Sequence, residues 1–166
     1  MPAKNIFPAM DTAGAALDCQ TNLPRRILVV DDDPWFRHLN SDILALHGFA
    51  VDVAENGAAA WDAIQLTKYD LLVTDNNMPE LSGIQLVKKI FDAGIPLSAI
   101  MASGTVSTDE LDRNQWFNIE AVLRKPYTTG MLLETVKNVL LMTGGTPDKF
   151  EMPPSWPVQP QFIFGK

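Results

Sequence analysis

Five short apolar runs alternate along the chain with segments of helical spacing, and this alternation restricts the possible folds more than any other feature. Each run is rich in aliphatic and β-branched residues, which is typical of short strands buried on both faces. The second run alternates between apolar and polar residues, as edge strands do. Strands joined by helices form a parallel sheet with helices on both sides. The sequence therefore predicts an α/β fold with a doubly wound five-stranded parallel sheet, and strands at residues 25–30, 49–54, 70–74, 97–102 and 119–123.

The segments between the runs carry helix signals. Asp33 followed by Pro34 is typical of an N-cap and a first helical residue, and Gly48 is typical of a helix end. Asn56 predicts the start of a second helix, and a weaker polar helix is expected at residues 108–114. The apolar faces predicted from helical spacing are Phe36, Leu39, Ile43 and Leu46; Ala60, Ala63, Ile64 and Thr67; Ile84, Val87, Ile90 and Phe91; and Leu132, Thr135, Val136, Val139 and Leu140.

The alternating pattern occupies residues 24–142, which we expect to form a single domain. Residues 1–23 have no clear period and residues 143–166 contain five of the twelve prolines, so both are interpreted as extensions. The net charge of −7 disfavours direct binding to nucleic acid. The single cysteine, Cys19, excludes an internal disulfide. No signal peptide or membrane-spanning run is visible, so we expect a cytoplasmic protein without membrane insertion.

Acidic residues follow the predicted strands at the edge where such sheets bind ligands. Asp31 and Asp32 come directly after the first strand and Asp75 after the third, whereas Asp33 is interpreted only as a helix cap. Clustered carboxylates repel one another, and a hard divalent cation is the usual remedy. Since the chain has no cluster of cysteine and histidine, these residues favour Mg2+ over zinc or copper.

A hydroxyl and a lysine complete the same edge. Ser103 follows the fourth strand, and Lys125, with Pro126 behind it, follows the fifth. A lysine can pair with the charge of a phosphoryl group, and a serine hydroxyl can donate a hydrogen bond to its oxygen. Together with Mg2+, these groups suit a carboxylate that is itself the phosphoryl acceptor, and they favour Asp75 as the nucleophile.

Four segments fall in order at successive strand ends: "ILVVDDDPWFR", "LLVTDNNMPELSG", "IMASG" and "LRKPY". On this alternating pattern they resemble the receiver domain of the two-component response regulators, over about residues 25–142. The resemblance implies a flavodoxin-like (βα)5 receiver fold, of the single-domain type known from chemotaxis regulators. It also implies Mg2+-dependent phosphoryl transfer to this chain from a histidine kinase or a histidine phosphotransfer protein.

The resemblance implies a role for each matching residue. Asp75 resembles the phosphoacceptor, and its carboxylate also belongs to the metal set. Asp32 resembles the direct Mg2+ ligand, and Asp31 resembles the neighbour that acts largely through water. The other matches are Asn77, whose backbone carbonyl resembles a third metal ligand; Ser103 and Lys125, which resemble the phosphoryl-binding pair; Pro126, which resembles a cis proline; and Gly83, which resembles the glycine of the loop after the acceptor.

Val122 is the one clear departure from the family pattern. Three residues before the lysine, the family usually carries Tyr or Phe, which acts as a rotamer switch. Valine is stiff at χ1 and too short to swing between an exposed and a buried position. We therefore expect phosphoryl chemistry to be retained and the switching step to be altered.

The residues after position 142 are too few and too rich in proline for a DNA-binding domain. We therefore expect a stand-alone response regulator that signals through contact with an unknown downstream protein. It would not be an enzyme beyond self-catalysed phosphoryl acceptance and slow autodephosphorylation. Two alternatives stay open. A pseudo-receiver that only binds partners is disfavoured by the retained acids and lysine, and a phosphatase-like enzyme with an aspartyl-phosphate intermediate is disfavoured by Asn77 and by the lack of a cap-domain insertion.

Overall fold

A computed structural model of the chain describes residues 24–104 and 118–143. Within these ranges the strands are β1 (Arg26–Val30), β2 (Ala50–Ala54), β3 (Leu71–Asp75), β4 (Ser98–Ser103) and β5 (Ile119–Arg124). The helices are α1 (Pro34–Leu46), α2 (Gly57–Leu66), α3 (Gly83–Asp92) and α4 (Thr129–Met142). The helix predicted at residues 108–114 and both predicted extensions, apart from Thr143, lie outside the described residues.

All five strands are parallel and form one sheet in the order β2-β1-β3-β4-β5. The chain starts inside the sheet at β1, crosses to one edge at β2, and returns past β1 to reach the other edge at β5. This doubly wound topology confirms the predicted fold class, and β2 is an edge strand, as its alternating sequence predicted. The winding direction reverses between β1 and β3, and such sheets bind ligands in the crevice outside the carboxyl ends of those strands.

At this edge β3, β4 and β5 extend one residue further than predicted, whereas β1 and β2 end where they were predicted to end. Asp75 pairs with Ala102 and Ser103 pairs with Arg124, so the predicted ends at residues 74, 102 and 123 were one residue short. The prediction placed Asp75, Ser103 and Arg124 after the strands, whereas these polar residues still have the backbone groups that form a strand ladder. The backbones of Asp75 and Ser103 therefore belong to the sheet ladder.

The sheet separates two hydrophobic clusters, because successive residues of a strand point to opposite faces. Leu28, Leu72 and Met101 lie in the cluster that α2 and α3 cover. The cluster on the other face is covered by α1 and α4, and its strand residues include Ile27, Val29, Leu71, Val73, Ile100 and Ala102. The helices cover both faces, which explains why most of these strands read as continuous apolar runs.

Each described helix begins at a side-chain cap. The predicted caps Asp33 and Asn56 are confirmed, since they accept hydrogen bonds from the backbone N–H of Trp35 and Ala59. Ser82 and Thr128 cap α3 and α4 in the same way. The longest helix described is α4, with 14 residues, whereas a membrane crossing needs roughly 20. Among the helices that the structure describes, none is long and apolar enough to cross a membrane.

The predicted face of α1 was wrong, whereas that of α4 is confirmed. The fully buried residues of α1 are Asn40 and Leu44, while Leu39 is 48% exposed and Leu46 is 82% exposed. Apolar side chains occur around most of α1, so their spacing does not define a single stripe, and packing against α4 and the sheet selects the face. In α3, Phe91 is likewise exposed. All five predicted residues of α4 are buried: Leu132, Thr135, Val136, Val139 and Leu140.

Candidate functional site

Three acidic side chains meet at the carboxyl ends of β1 and β3. One carboxylate oxygen from each of Asp31, Asp32 and Asp75 lies within 4.8 Å of the other two. Asp31 and Asp75 are buried, with 2% and 6% of their surface exposed, whereas Asp32 is exposed to solvent. The cluster is therefore anchored in the fold on one side and open to water on the other.

Asp33, the third acid of the run, has a different task. Its carboxylate accepts a hydrogen bond of 2.8 Å from the backbone N–H of Trp35 and caps α1. Its own backbone N–H donates to Asp31 Oδ1 at 2.9 Å. The interpretation of Asp33 as a helix cap is thus confirmed, and the start of α1 also orients the Asp31 carboxylate.

Lys125 reaches the acidic cluster from the turn that follows the edge strand β5. Its Nζ lies 2.9 Å from Asp31 Oδ2 and 3.2 Å from Asp75 Oδ1. The Lys125–Pro126 peptide is cis, as the resemblance implied. The backbone N–H of Lys125 donates to the carbonyl of Ser103 at 3.0 Å. The turn with the cis peptide therefore begins directly after β5 ends beside β4. The structure thus brings together residues that lie 94 positions apart in the chain.

The charges at this edge depend on burial and on each other. Burial raises the pKa of the Asp31 carboxyl above its ordinary value of 3.8, although the hydrogen bond and charge of Lys125 oppose that effect. Burial by itself lowers the pKa of the Lys125 ammonium. The hydrogen bond and charge of Asp31, together with the charge of Asp75, outweigh it, and the pKa lies above its ordinary value of 10.5. The lysine therefore stays a cation at neutral pH.

The loop after β3 holds Asp75 in place. The backbone N–H of Asn77 donates to Asp75 Oδ2 at 3.1 Å, and the hydroxyl of Thr74 donates to the Asp75 carbonyl at 2.9 Å. Gly83 packs directly on this strand end: a Cβ placed there would lie 2.2 Å from the Asp75 carbonyl oxygen. The loop can close over β3 only because residue 83 has no side chain.

The remaining predicted site residues lie at the same edge. Ser103 is fully buried at the end of β4, one position beyond the strand partner of Asp75. Asn77 is exposed on the loop that follows Asp75. Val122 pairs with Met101 and is partly buried against the cluster under α2 and α3.

Several contacts of the site were missed in the sequence. Arg37 Nη1 donates to the backbone carbonyl of Asp31 at 2.6 Å, and Asn76 Oδ1 accepts from the backbone N–H of Ile84 at 3.2 Å. Arg37 lies one helical turn after the N-cap Asp33. Its side chain could therefore have been predicted to lie near Asp31 and Asp32, which directly precede that cap. Phe36, whose ring centroid lies 4.7 Å from Lys125 Nζ, carries no comparable local signal.

The donor set fits Mg2+. The clustered ligands are carboxylate oxygens, which are what this hard cation binds, and the exposed position of Asp32 leaves room for the waters that it retains. The two histidines lie on α1 and its C-cap, where their Nδ1 atoms pair with backbone carbonyls of the helix. Within the described residues, the only group of three or more Asp, Glu, His or Cys that could hold a metal is the acidic one.

Comparison with known proteins identifies the family. A family model described as the response regulator receiver domain matches residues 27–137, which is more than half of the chain. The chain belongs to the response regulator receiver domain family. The resemblance read from the four sequence segments is thereby confirmed.

Receiver domains occur in proteins of several architectures. Over 126 residues the chain is 31% identical to the response regulator MprA of Mycolicibacterium vanbaalenii, covering 76% of this chain and 54% of MprA. It is 29% identical over 132 residues to the sensor histidine kinase RcsC of Escherichia coli, covering 80% of this chain and 13% of RcsC. The chain thus spans only part of the length of these relatives.

Solved structures agree on the fold. A receiver domain of a LuxO repressor protein from Vibrio parahaemolyticus superposes with a TM-score of 0.69 at 26% identity, covering 73% of this chain and 93% of that one. The response regulator TrrA of Thermotoga maritima, solved in complex with Mg2+-BeF, gives a TM-score of 0.62 at 31% identity and covers 69% of this chain and 98% of that one. Receiver domains are signalling modules of two-component systems, bind Mg2+ at an acidic pocket, and interact with histidine kinases and downstream effectors.

Proposed function

We propose that this chain accepts a phosphoryl group on Asp75 from a phosphohistidine, with Mg2+, and then signals through contact with another protein. One observation carries the proposal: the buried Asp75 carboxylate lies between a lysine Nζ at 3.2 Å and two further carboxylates within 4.8 Å. A carboxylate in that setting has an adjacent cation for the incoming negative charge and ligands for a divalent metal.

The transfer exchanges one bond for another. A carboxylate oxygen of Asp75 forms a bond to phosphorus as the phosphorus–nitrogen bond of the phosphohistidine breaks. The electron pair leaves with the imidazole nitrogen, which then takes a proton. Lys125 pairs with the oxygens of the transferred group, and Ser103 donates a hydrogen bond to one of them. Histidine kinases and histidine phosphotransfer proteins are the donors that carry such a group.

The residues that would hold the metal are Asp32 directly, Asp31 largely through water, Asp75, and the backbone carbonyl of Asn77. When bound, Mg2+ neutralises the charge that develops on the phosphoryl oxygens. The chain contributes the geometry: β1 and β3 hold two carboxylates, and the cap of α1 orients one of them through the Asp33–Asp31 hydrogen bond of 2.9 Å.

We further propose that residues 24–142 form the receiver domain, with residues 1–23 as an extension and residues 143–166 as a proline- and aromatic-rich tail. The output is then contact with a downstream protein and not with nucleic acid, since the net charge of −7 repels polyanions. Beyond self-catalysed phosphoryl acceptance and slow autodephosphorylation, we propose no enzymatic activity. Phosphohistidine donors obtain their phosphoryl group from ATP, which is a cytoplasmic metabolite. We therefore propose that the chain acts in the cytoplasm.

Incubation with acetyl phosphate and Mg2+, followed by intact-mass measurement, tests the proposal. We expect one phosphoryl adduct in the unaltered chain and none in Asp75→Asn. Asp70→Asn is the matched control, because Asp70 directly precedes the opposite end of the same strand, where it pairs with Arg25 at 2.8 Å. An undiminished adduct in Asp75→Asn contradicts the assignment, continuous turnover of the donor indicates a phosphatase-like enzyme, and the absence of any adduct indicates a pseudo-receiver.

A further inference from the structure

Helix α1 contacts the turn that carries Lys125 at two points. The ring centroid of Phe36 lies 4.7 Å from Lys125 Nζ, which is the geometry of a cation–π contact. One helical turn later, Asn40 Nδ2 donates a hydrogen bond of 2.8 Å to the hydroxyl of Tyr127. Phe36 and Asn40 are four residues apart, so they lie on one face of α1. The two contacts therefore hold Lys125 and Tyr127, the residues immediately before and after Pro126.

Asn40 is unusual among the residues that α1 buries. It is only 3% exposed, and an amide in such a position lowers stability unless it is hydrogen-bonded. Leu44, the other residue that α1 buries fully, is apolar and 0% exposed. An apolar residue at position 40 could also pack in the core, whereas only a polar side chain can form a hydrogen bond with the Tyr127 hydroxyl. The Asn40 amide is therefore explained by its hydrogen bond to the turn and not by packing in the core.

We propose that Phe36 and the Asn40–Tyr127 pair are positioning residues that hold Lys125 Nζ between Asp31 and Asp75 for phosphoryl acceptance. This inference rests on the proposed function and extends it to three residues outside the site described above. α1 thus acts on the acceptor site in two ways: its N-cap Asp33 orients Asp31, and Phe36 and Asn40 hold the turn that carries the lysine.

The need for positioning follows from where Lys125 sits. β5 ends at Arg124, so Lys125 belongs to the turn, and its described backbone bond to the sheet is the one from its N–H to the Ser103 carbonyl at 3.0 Å. A lysine side chain is a flexible four-carbon stem that loses much rotamer freedom when its ammonium is held in one place. Contacts from α1 reduce the freedom that remains to be lost when a phosphoryl group arrives.

Two substitutions at Phe36 separate a cation–π contact from simple packing. Phe36→Trp keeps an aromatic face over the ammonium, whereas Phe36→Leu keeps only an apolar side chain. With saturating Mg2+ and acetyl phosphate, we expect Phe36→Leu to slow phosphorylation roughly two- to fivefold and Phe36→Trp to retain the rate. The Mg2+ dissociation constant should stay the same in both, because the metal is held by the carboxylates.

The second arm removes the Asn40–Tyr127 hydrogen bond without leaving a buried polar group alone. The double variant Asn40→Leu/Tyr127→Phe replaces both partners by apolar side chains of similar shape, which keeps stability nearly unchanged. We expect its phosphorylation rate to fall roughly two- to tenfold. Tyr69→Phe is the matched control, because it removes the hydroxyl that donates to Asp52 at 2.9 Å ahead of β3, away from the acceptor.

Repeating both arms in a Lys125→Gln background decides whether the effect passes through the lysine. The proposal predicts that neither change lowers the residual rate further once Lys125 is absent. It is overturned if Phe36→Leu and the double variant react as fast as Phe36→Trp and Tyr69→Phe, or if their losses persist undiminished in Lys125→Gln. A failure of the proposed function is seen separately, since the unaltered chain would then take up no phosphoryl group, and the inference would fail with it.

Discussion

Asp31 Oδ2 lies 2.9 Å from Lys125 Nζ, so an ion pair joins the end of the first strand to the turn after the last. The Asp31 side chain is 3% exposed and the Lys125 side chain is 19% exposed. Because both side chains are largely shielded from water, removing either Asp31 or Lys125 leaves an uncompensated charge. That loss is far more destabilising than the loss of a surface ion pair. The pair therefore fixes the two ends of the site relative to each other before any ligand is bound.

Asp32→Ala should weaken Mg2+ binding by more than about tenfold and nearly stop phosphorylation, because the other carboxylates cannot hold this strongly hydrated cation alone. Without metal, the variant should be at least as stable as the unaltered chain, since one of three crowded acids is gone. Isothermal titration with Mg2+ and urea unfolding measure both quantities. The neighbouring Asp33→Ala is the control: it removes the cap of α1 and should cost about 0.5–2 kcal/mol of stability while leaving Mg2+ affinity nearly intact. Equal Mg2+ affinity in Asp32→Ala and the unaltered chain would exclude Asp32 as a ligand.

Gly83→Ala should lower the free energy of unfolding by about 1–3 kcal/mol, because the added methyl group meets backbone atoms that cannot move aside cheaply. Its Cβ would lie 2.2 Å from the carbonyl oxygen of Asp75. Gly130→Ala is the matched control, since its nearest neighbour would be a side-chain oxygen at 3.8 Å. In the first turn of α4 that change should raise stability by up to about 1 kcal/mol. Urea unfolding of both variants gives the comparison, and equal stabilities would contradict the close approach at Gly83.

The two tyrosines of the chain should both ionise above the ordinary tyrosine pKa of 10.0. Burial raises the pKa of Tyr127, against the Asn40 hydrogen bond and the Lys125 charge, and burial with the hydrogen bond and charge of Asp52 raises that of Tyr69. A raised pKa in the folded state contributes stability that is complete below 10.0 and is lost as the pH rises through the folded value.

An ultraviolet titration of tyrosinate absorbance measures this directly. The folded chain should show little ionisation at pH 10, and each Tyr→Phe variant should lose half of the signal and flatten the alkaline fall of the unfolding free energy. Native tyrosines that titrate at their ordinary pKa would show that neither ring is buried as described.

Activation should leave Val122 nearly unchanged. A phosphoryl group should draw in the Ser103 hydroxyl, because a hydrogen bond to a charged group contributes roughly 1.5–3 kcal/mol. Val122 pairs with Met101 in the sheet and is too short to fill a space that the hydroxyl vacates. NMR of the beryllofluoride–Mg2+ form should therefore show shifts at residues 103–108 and at the predicted helix beyond, with Trp116 as a reporter. In Val122→Tyr, the largest change should move to residue 122. Large shifts at Val122 with silent signals from residues 103–108 would reverse this assignment of the switch.

The sequence by itself determined the order of the elements and the placement of the acids. Apolar periodicity and caps such as Asp33 and Asn56 depend on residues a few positions apart, so local reasoning located each strand to within one residue of its ends and found the starts of α1 and α2. A parallel sheet brings the carboxyl ends of its strands to one edge, and this rule alone placed Asp31, Asp75 and Lys125 together before any distance was known.

Only the tertiary structure decided which face of α1 is buried and what that face contacts. The apolar residues of α1 lie around most of the helix. Their spacing therefore could not show that Asn40 and Leu44 are buried while Leu46 is exposed. The contact between Asn40 and Tyr127 joins residues 87 positions apart, and the contact between Phe36 and Lys125 likewise depends on how α1 packs against the far end of the sheet. Such contacts depend on the volumes of side chains from several elements meeting in one place, and no short window of sequence contains that information.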